Sequence, residues 1–322
     1  MKIRILAWLL LLACTSAAAQ SLSERFPERP VHLVVPFGPG GLADITMRML
    51  AERLSPLLGK QVVIENQPGA GGVTAALNVK KARPDGHTLL CIVNGTAIAV
   101  SLFKQLPYDP QKDFTPVSLV TYFDLLILAS GDSKYRTLED LVAAAKANPG
   151  KLNFATINPG STQNLSAQLF KSVAGIDVAI VPFRTSPDAA AAVVAGSADA
   201  VFESYAAMKG LISGGKLKPL ASTGTKNFGY LPNVPIAAQA GVPGYEVSGW
   251  NAIAAPAGTP REVVAILNKH INTVVAQPDF KAKLLEFGTL AYAGAPEELG
   301  KQLATDIAKW RAVIEKAGIP RQ

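Results

Sequence analysis

The chain is poor in the residues that usually carry chemistry. Its 322 residues include two cysteines, three histidines and three tryptophans. Once the N-terminal segment holding Cys14 is removed, Cys91 stands alone. That excludes an intramolecular disulfide and a paired-thiol metal site. Cys91 falls in an apolar strand pattern and reads as a buried core thiol. His32, His87 and His270 are scattered, and none has ligand spacing to another. There is no H-E-x-x-H, no G-x-S-x-G and no P-loop lysine behind glycines. No nucleophile and base therefore propose an enzyme, and no cofactor or metal is expected. Basic runs are missing too. The net charge of +7 is spread over the chain, which argues against nucleic acid and mildly favours anions. After the N-terminus, no apolar run is long enough to cross a bilayer.

What is present begins with a targeting segment. Lys2 and Arg4 precede the apolar run Ile5 to Ala13, and Ala17-Ala18-Ala19 gives an Ala-x-Ala site. Residues 1–19 read as a signal peptide, and the mature chain is expected in an exported compartment. Leu11-Leu12-Ala13-Cys14 loosely resembles a lipobox, so a lipid anchor at Cys14 is the alternative. Apolar residues make up 49% of the chain, enough for a large core.

The stretch Val31 to Asp44 organises the rest. Val31, Leu33, Val34 and Val35 predict a buried strand. Phe37-Gly38-Pro39-Gly40-Gly41 must turn, and Met47, Leu50, Ala51, Leu54 and Leu58 recur at helical spacing. Such a turn exposes unpaired N–H groups at a helix N-terminus, a site for an anion. A small carboxylate is the anion expected there. The pattern continues with a strand over 61–65, the turn Asn66 to Gly72, a short helix over 73–82 and a strand over 87–93 that ends in the small turn Asn94-Gly95-Thr96. Residues 107–116 read as irregular. After a strand at 125–129, Thr137 caps a helix. The opening theme then returns: a strand over 152–156, the turn Asn158 to Thr162, and a helix to Gly175. Strands follow at 178–183, 198–202 and 217–222, with Ser186-Pro187 as a cap and first turn. Residues 245–255 are extended, Thr259 to Glu262 reads as a capping box, and a last helix starts near Pro296.

Two α/β units in series are the result. Ligands in open α/β sheets sit beyond strand C-termini, so two facing turns would form a cleft. The expected division is residues 24–124 with 248–322 as a discontinuous first domain and 125–247 as the second. Gly38 to Ala43 also fits the loose dinucleotide fingerprint, with Glu65 about 20 residues on. An exported enzyme would meet little cofactor, and the glycine turn after Glu65 is foreign to that pattern. Asp44 either caps the first helix or contacts ligand, and capping is favoured because a carboxylate repels an anion. Arg184 follows a strand end and could pair with a carboxylate. Glu203 could accept a ligand ammonium or hydroxyl. Phe37, Tyr205 and Trp250 could wall a cleft.

PVHLVVPFGPGGLAD, VVIENQPGAGG, ARPDGHTLL, LPYDPQKDFTPVSLV, ANPGKLNFAT and GYEVSGWNAIAAPAGTP resemble, in that order, the Bug family of periplasmic solute-binding receptors of tripartite tricarboxylate transporters. The resemblance covers essentially the whole mature chain. It implies a type II periplasmic-binding-protein fold, with two α/β domains about a ligand cleft. It further implies a monomer that captures a carboxylated solute and delivers it to membrane permease subunits. The turns implied to hold the ligand are Phe37, Gly38, Gly40, Gly41, Ala43 and Asp44 on one side, and Asn158, Gly160, Ser161, Thr162 and Gln163 on the other. Asn94, Thr96, Arg184 and Glu203 complete the candidates. Gly95-Thr96-Ala97 stands where the family commonly has Gly-Thr-His, Arg184-Thr185 where it has Lys-Gly, and Glu203 where aspartate is usual. Arg184 makes a dicarboxylate, aliphatic or aromatic, the expected solute. An exported enzyme acting on a carboxylated metabolite and a sensing partner of a membrane kinase are the alternatives.

Overall fold

The computed structural model describes residues 26–225 and 229–321. The segment read as a signal peptide, with Cys14, lies outside the described residues. The chain opens with β1 (Val31–Val35), α1 (Leu42–Leu58), β2 (Val62–Asn66), α2 (Val73–Lys80), β3 (Thr88–Val93) and α3 (Asn94–Leu102). The middle holds β4 (Phe114–Ser130), α4 (Leu138–Ala147), β5 (Asn153–Ile157), α5 (Thr162–Ala174), β6 (Ala179–Phe183), α6 (Ser186–Val194), β7 (Ala200–Ser204), α7 (Tyr205–Ser213) and β8 (Leu217–Ser222). It closes with β9 (Ser248–Pro256), α8 (Arg261–Ala276), α9 (Pro278–Glu286), β10 (Thr289–Ala291) and α10 (Pro296–Lys316).

The strands run in the order β2-β1-β3-β9-β4-β7-β5-β6, with β8 and β10 also paired to β4. β1 pairs in parallel with β2 and β3, and β5 with β6 and β7. The two parallel groups meet at β4 and β9. β4 is 17 residues long and changes partner midway. From Phe114 to Asp124 it lies antiparallel to β9, and from Leu125 it pairs with β7. A hydrogen-bonded knot fixes that crossing. The Ser248 hydroxyl donates to Asp124 at 2.7 Å, the Leu125 N–H donates to the Thr223 hydroxyl at 3.0 Å, and that hydroxyl donates to the Val247 carbonyl at 2.6 Å.

Helix faces follow the apolar spacing of the sequence. Met47, Leu50 and Leu54 of α1 share a core cluster with Leu267 and Ile271 of α8 and Phe280 of α9. α10 buries Leu299, Leu303, Ile307, Trp310 and Ile314. Gly59 and Gly175, at φ 67° and 61°, end α1 and α5 in left-handed caps. Four local expectations are corrected. Asn94-Gly95-Thr96 is the first turn of α3 and not a free turn. Residues 114–116, expected to be irregular, open β4; Pro116 is accommodated because the ladder to β9 shifts register just after it. Thr259 gives its hydroxyl to the Pro256 carbonyl at 2.8 Å and makes no capping box, so α8 starts at Arg261 behind Pro260. Ser186 is not the cap of α6. Thr185 is, accepting from the Asp188 N–H at 3.3 Å.

Candidate functional site

The C-terminal ends of the parallel strands meet where the two groups face each other. Between them lies a cavity of ≈ 20 Å³. Phe37, Gly41, Leu42 and Ala43 line it from the β1–α1 turn, Thr162 and Gln163 from the start of α5, and Ser186 from the start of α6. Val93, Phe123, Ile157 and Asn251 complete the wall from strand positions. No lining residue is charged. Three helix N-termini, those of α1, α5 and α6, converge on the same small space. Each brings backbone donors without an intrahelical partner and the positive end of its dipole. α1 keeps most of them, since its cap position is Gly41 and no side chain caps it.

Larger grooves lie elsewhere on the surface, two of them beside α10. One, of ≈ 620 Å³, runs between α8 and α10 and includes Arg261 and Glu297. The other, of ≈ 460 Å³, flanks the end of α10 with Arg311 and Glu315. Neither is at strand C-termini, and both mix charge signs, so size does not identify the site.

The turns around the cavity are pressed together, and glycine makes this possible. A Cβ on Gly38 would stand 2.7 Å from the Thr185 methyl, and one on Gly71 would stand 2.7 Å from the Pro159 carbonyl oxygen. A Cβ on Gly95 would lie 2.6 Å from the Gly160 carbonyl oxygen. Thus the turns of the β1–β3 group seat directly on the β5–α5 and β6–α6 turns. Gly40, at φ 81°, supplies the left-handed bend that starts α1.

Asp44 does not cap the first helix, which has no side-chain cap, and instead braces the turn ahead of it. It is 4% exposed and accepts from the Gly40 N–H at 3.0 Å, from Arg48 Nε at 2.9 Å and from Asn66 Nδ2 at 2.9 Å. Burial alone would raise its pKa. The Arg48, Gly40 and Asn66 hydrogen bonds and the Arg48 charge outweigh that and hold the carboxyl below its usual range. Its lone pairs belong to the turn.

The other candidates divide. Phe37, Gly41, Ala43, Thr162 and Gln163 line the cavity. Gly38, Gly40 and Gly160 are contact points across the turns. Ser161 caps α5 by accepting from the Asn164 N–H at 3.1 Å, and the Asn158 carbonyl accepts from the Ser161 N–H. Asn94 accepts from Trp310 Nε1 at 2.9 Å, and the Thr96 hydroxyl accepts from the Val93 N–H, so both serve the fold rather than the lining. Arg184 is exposed and lies outside the lining of this cavity. Trp250 is a core residue donating to Asp306, and Tyr205 packs on Tyr230, so neither walls the cavity.

Glu203 is fully buried behind the lining. It accepts from Gln163 Nε2 at 2.9 Å, from the Ser186 hydroxyl at 2.6 Å and from the Ser204 N–H at 2.6 Å. Ser186, Asn251, Phe123, Leu42, Val93 and Ile157 escaped the sequence reading. Adjacent Thr185 and Ser186 are both able caps, so the sequence did not reveal which hydroxyl is free. Phe123 was missed because the first half of β4 was not read as a strand. Glu65, the carboxylate of the dinucleotide fingerprint, pairs with His32 at 2.5 Å on the β2–β1 edge of the sheet.

A family model described as "Tripartite tricarboxylate transporter family receptor" matches residues 46–319. A relative from Pseudomonas sp. strain P51, named "UPF0065 protein in tcbD-tcbE intergenic region", is 36% identical over 314 residues, 97% of this chain and 93% of its own. Among solved structures, "R. palustris Rpa4515 with adipate" matches with a TM-score of 0.89 at 34% identity, over 92% of this chain and 99% of that one. "Structure of periplasmic binding protein BugD" matches with a TM-score of 0.88 at 32% identity, over 92% and 100%. "MatC (Rpa3494) from Rhodopseudomonas palustris with bound malate" matches with a TM-score of 0.85 at 34% identity, over 90% and 100%.

Proposed function

Because the chain belongs to the tripartite tricarboxylate transporter receptor family, we propose that it captures a small carboxylate, foremost a dicarboxylate, in the cleft between the two strand groups and delivers it to membrane permease subunits. One observation carries this reading: three helix N-termini converge on a cavity with no charged residue in its lining. Oriented neutral donors satisfy a carboxylate without a buried counter-charge that must first be desolvated. The structures of relatives with adipate and malate support the ligand class.

The domain division 24–124 with 248–322, and 125–247, is part of this proposal. It is supported by the change of β4 partner at Asp124 and Leu125. A cavity of ≈ 20 Å³ holds about one water and no dicarboxylate, so a ligand enters only if the two halves part. Closure onto it would then couple capture to docking on a permease. The N-terminal segment, read as a signal peptide cleaved before Gln20, supports a periplasmic setting for this activity.

The test is a thermal-shift screen of the chain from Gln20 onward against citrate, C4 to C6 dicarboxylates, aromatic dicarboxylates, acidic amino acids, nicotinate and NAD. Ligand at 100 times its dissociation constant adds about 2.7 kcal/mol, which raises the midpoint by a few degrees. A shift with one carboxylate class, with the ligand recovered intact, is the expected result. A shift with NAD alone, or consumption of the hit, would replace the carrier by an enzyme.

A further inference from the structure

We infer that the cleft selects a carboxylate that also bears a hydrogen-bond donor, a hydroxyl or an ammonium, and that Glu203 is the positioning residue behind this selection. The inference rests on the carboxylate reading above and narrows it. Glu203 is the acceptor in its contacts with Gln163, Ser186 and the Ser204 N–H, so each fixes the direction of its partner. Ser186 gives its one hydrogen to Glu203 at 2.6 Å. Its oxygen therefore meets the cavity with lone pairs alone. Gln163 gives an amide hydrogen to Glu203 at 2.9 Å, which orients the amide and leaves its carbonyl oxygen as an acceptor. Both residues line the cavity.

Asn251, from the opposite strand group, repeats the pattern. Its Nδ2 donates to the Thr46 hydroxyl at 3.3 Å, and that hydroxyl donates onward to the Leu42 carbonyl at 2.8 Å. Asn251 is thereby oriented with its carbonyl oxygen free of the contact to Thr46. The lining thus presents backbone donors at helix starts and side-chain acceptors between them. A plain dicarboxylate matches the first set and leaves the second unpaired, at a cost. A hydroxyl or ammonium on the ligand satisfies both. Ser186 also owes its place to the turn opposite: its hydroxyl lies 3.2 Å from where a Cβ on Gly41 would stand. The room for this acceptor is therefore made by a glycine.

The test is calorimetric titration of the mature chain with matched series. These are succinate against malate and aspartate, and glutarate against 2-hydroxyglutarate and glutamate. The donor-bearing member of one series should bind at least about tenfold more tightly than its parent, the worth of one hydrogen bond. Glu203→Gln brings an amide that must donate to Ser186 or Gln163, turning one acceptor around. The preference should then shrink to under about threefold. Ser186→Ala, which keeps Thr185 as the cap of α6, should shrink it too. General damage to the fold would weaken parent and derivative alike and leave their ratio unmoved. Equal affinity for parent and derivative in the unaltered protein, or an unchanged ratio in both variants, would overturn the inference while the carboxylate reading stood. Failure of every member of both series to bind would overturn both.

Discussion

At the scale of single residues, the buried carboxylates beside the cavity are committed to the fold before any ligand arrives. Asp44 is the clearest case. Its carboxylate ties the Gly40 N–H, Arg48 and Asn66 into one turn, so Asp44→Ala should cost about 2 kcal/mol of stability by leaving buried donors unpaired. The effect has a pH signature. The folded pKa is lowered from its usual 3.8, so the unfolded chain binds the proton first as pH falls. The stabilisation is complete above about pH 4 and is lost as pH falls through the folded pKa. Thermal unfolding of the protein and of Asp44→Asn from pH 7 to pH 2 should show a gap that narrows at the acid end. Cys91 makes a second residue-scale prediction. It is completely buried, and burial pushes its thiol up. A thiol reagent should leave it unmodified in the native chain and label it stoichiometrically in denaturant. The buried thiol was legible from the apolar run around it, whereas Asp44 reads as a helix cap in sequence and instead ties the turn before the helix to Arg48 and Asn66. The contact directions of Glu203 and Ser186 were not, because they depend on β7 and α6 being side by side.

At the scale of elements, a strand, a small-residue turn and a helix form one repeated unit, and its boundaries could be read to within a few residues. The unit is legible because local rules fix it: β-branched runs, glycines at the bend, apolar residues at helical spacing. That two turns face each other was expected, but which residues meet across the cleft is not local and could not be read from the sequence. Gly95 shows the difference. In sequence it belongs to a small turn, whereas in the fold it sits in the first turn of α3 against the Gly160 carbonyl. Its φ lies outside the left-handed region, so an alanine there is tolerated by the backbone and favoured in a helix by about 0.5–1 kcal/mol. In the fold, however, the added methyl meets the Gly160 backbone carbonyl oxygen, so Gly95→Ala should lower the thermal midpoint even without ligand. It should also lower ligand affinity by about tenfold or more, because the added methyl keeps the turns apart. Paired calorimetric and thermal measurements on this variant separate closure from folding, and an unchanged affinity would show that these turns need not meet.

At the scale of the whole molecule, the sheet is two parallel groups joined by β4 and β9. The alternation of elements foretold the α/β class, and the family resemblance foretold two facing units. The length of β4 escaped notice, since Pro116 argued against a strand that a register shift in fact accommodates. The crossing of Asp124, Thr223 and Ser248 is where the halves would pivot. Small-angle scattering should show the ligand-bound protein contracting toward a radius of gyration of about 19 Å, the value for a compact chain of this length. The central claim is capture of a small carboxylate by neutral donors, without chemistry. Its most direct test is isothermal titration of the mature protein with the carboxylate series, followed by recovery of the ligand. Saturable one-to-one binding of one carboxylate class and return of the ligand unchanged are the expected results. Absence of binding across the series, or a ligand that comes back as a different compound, would contradict it.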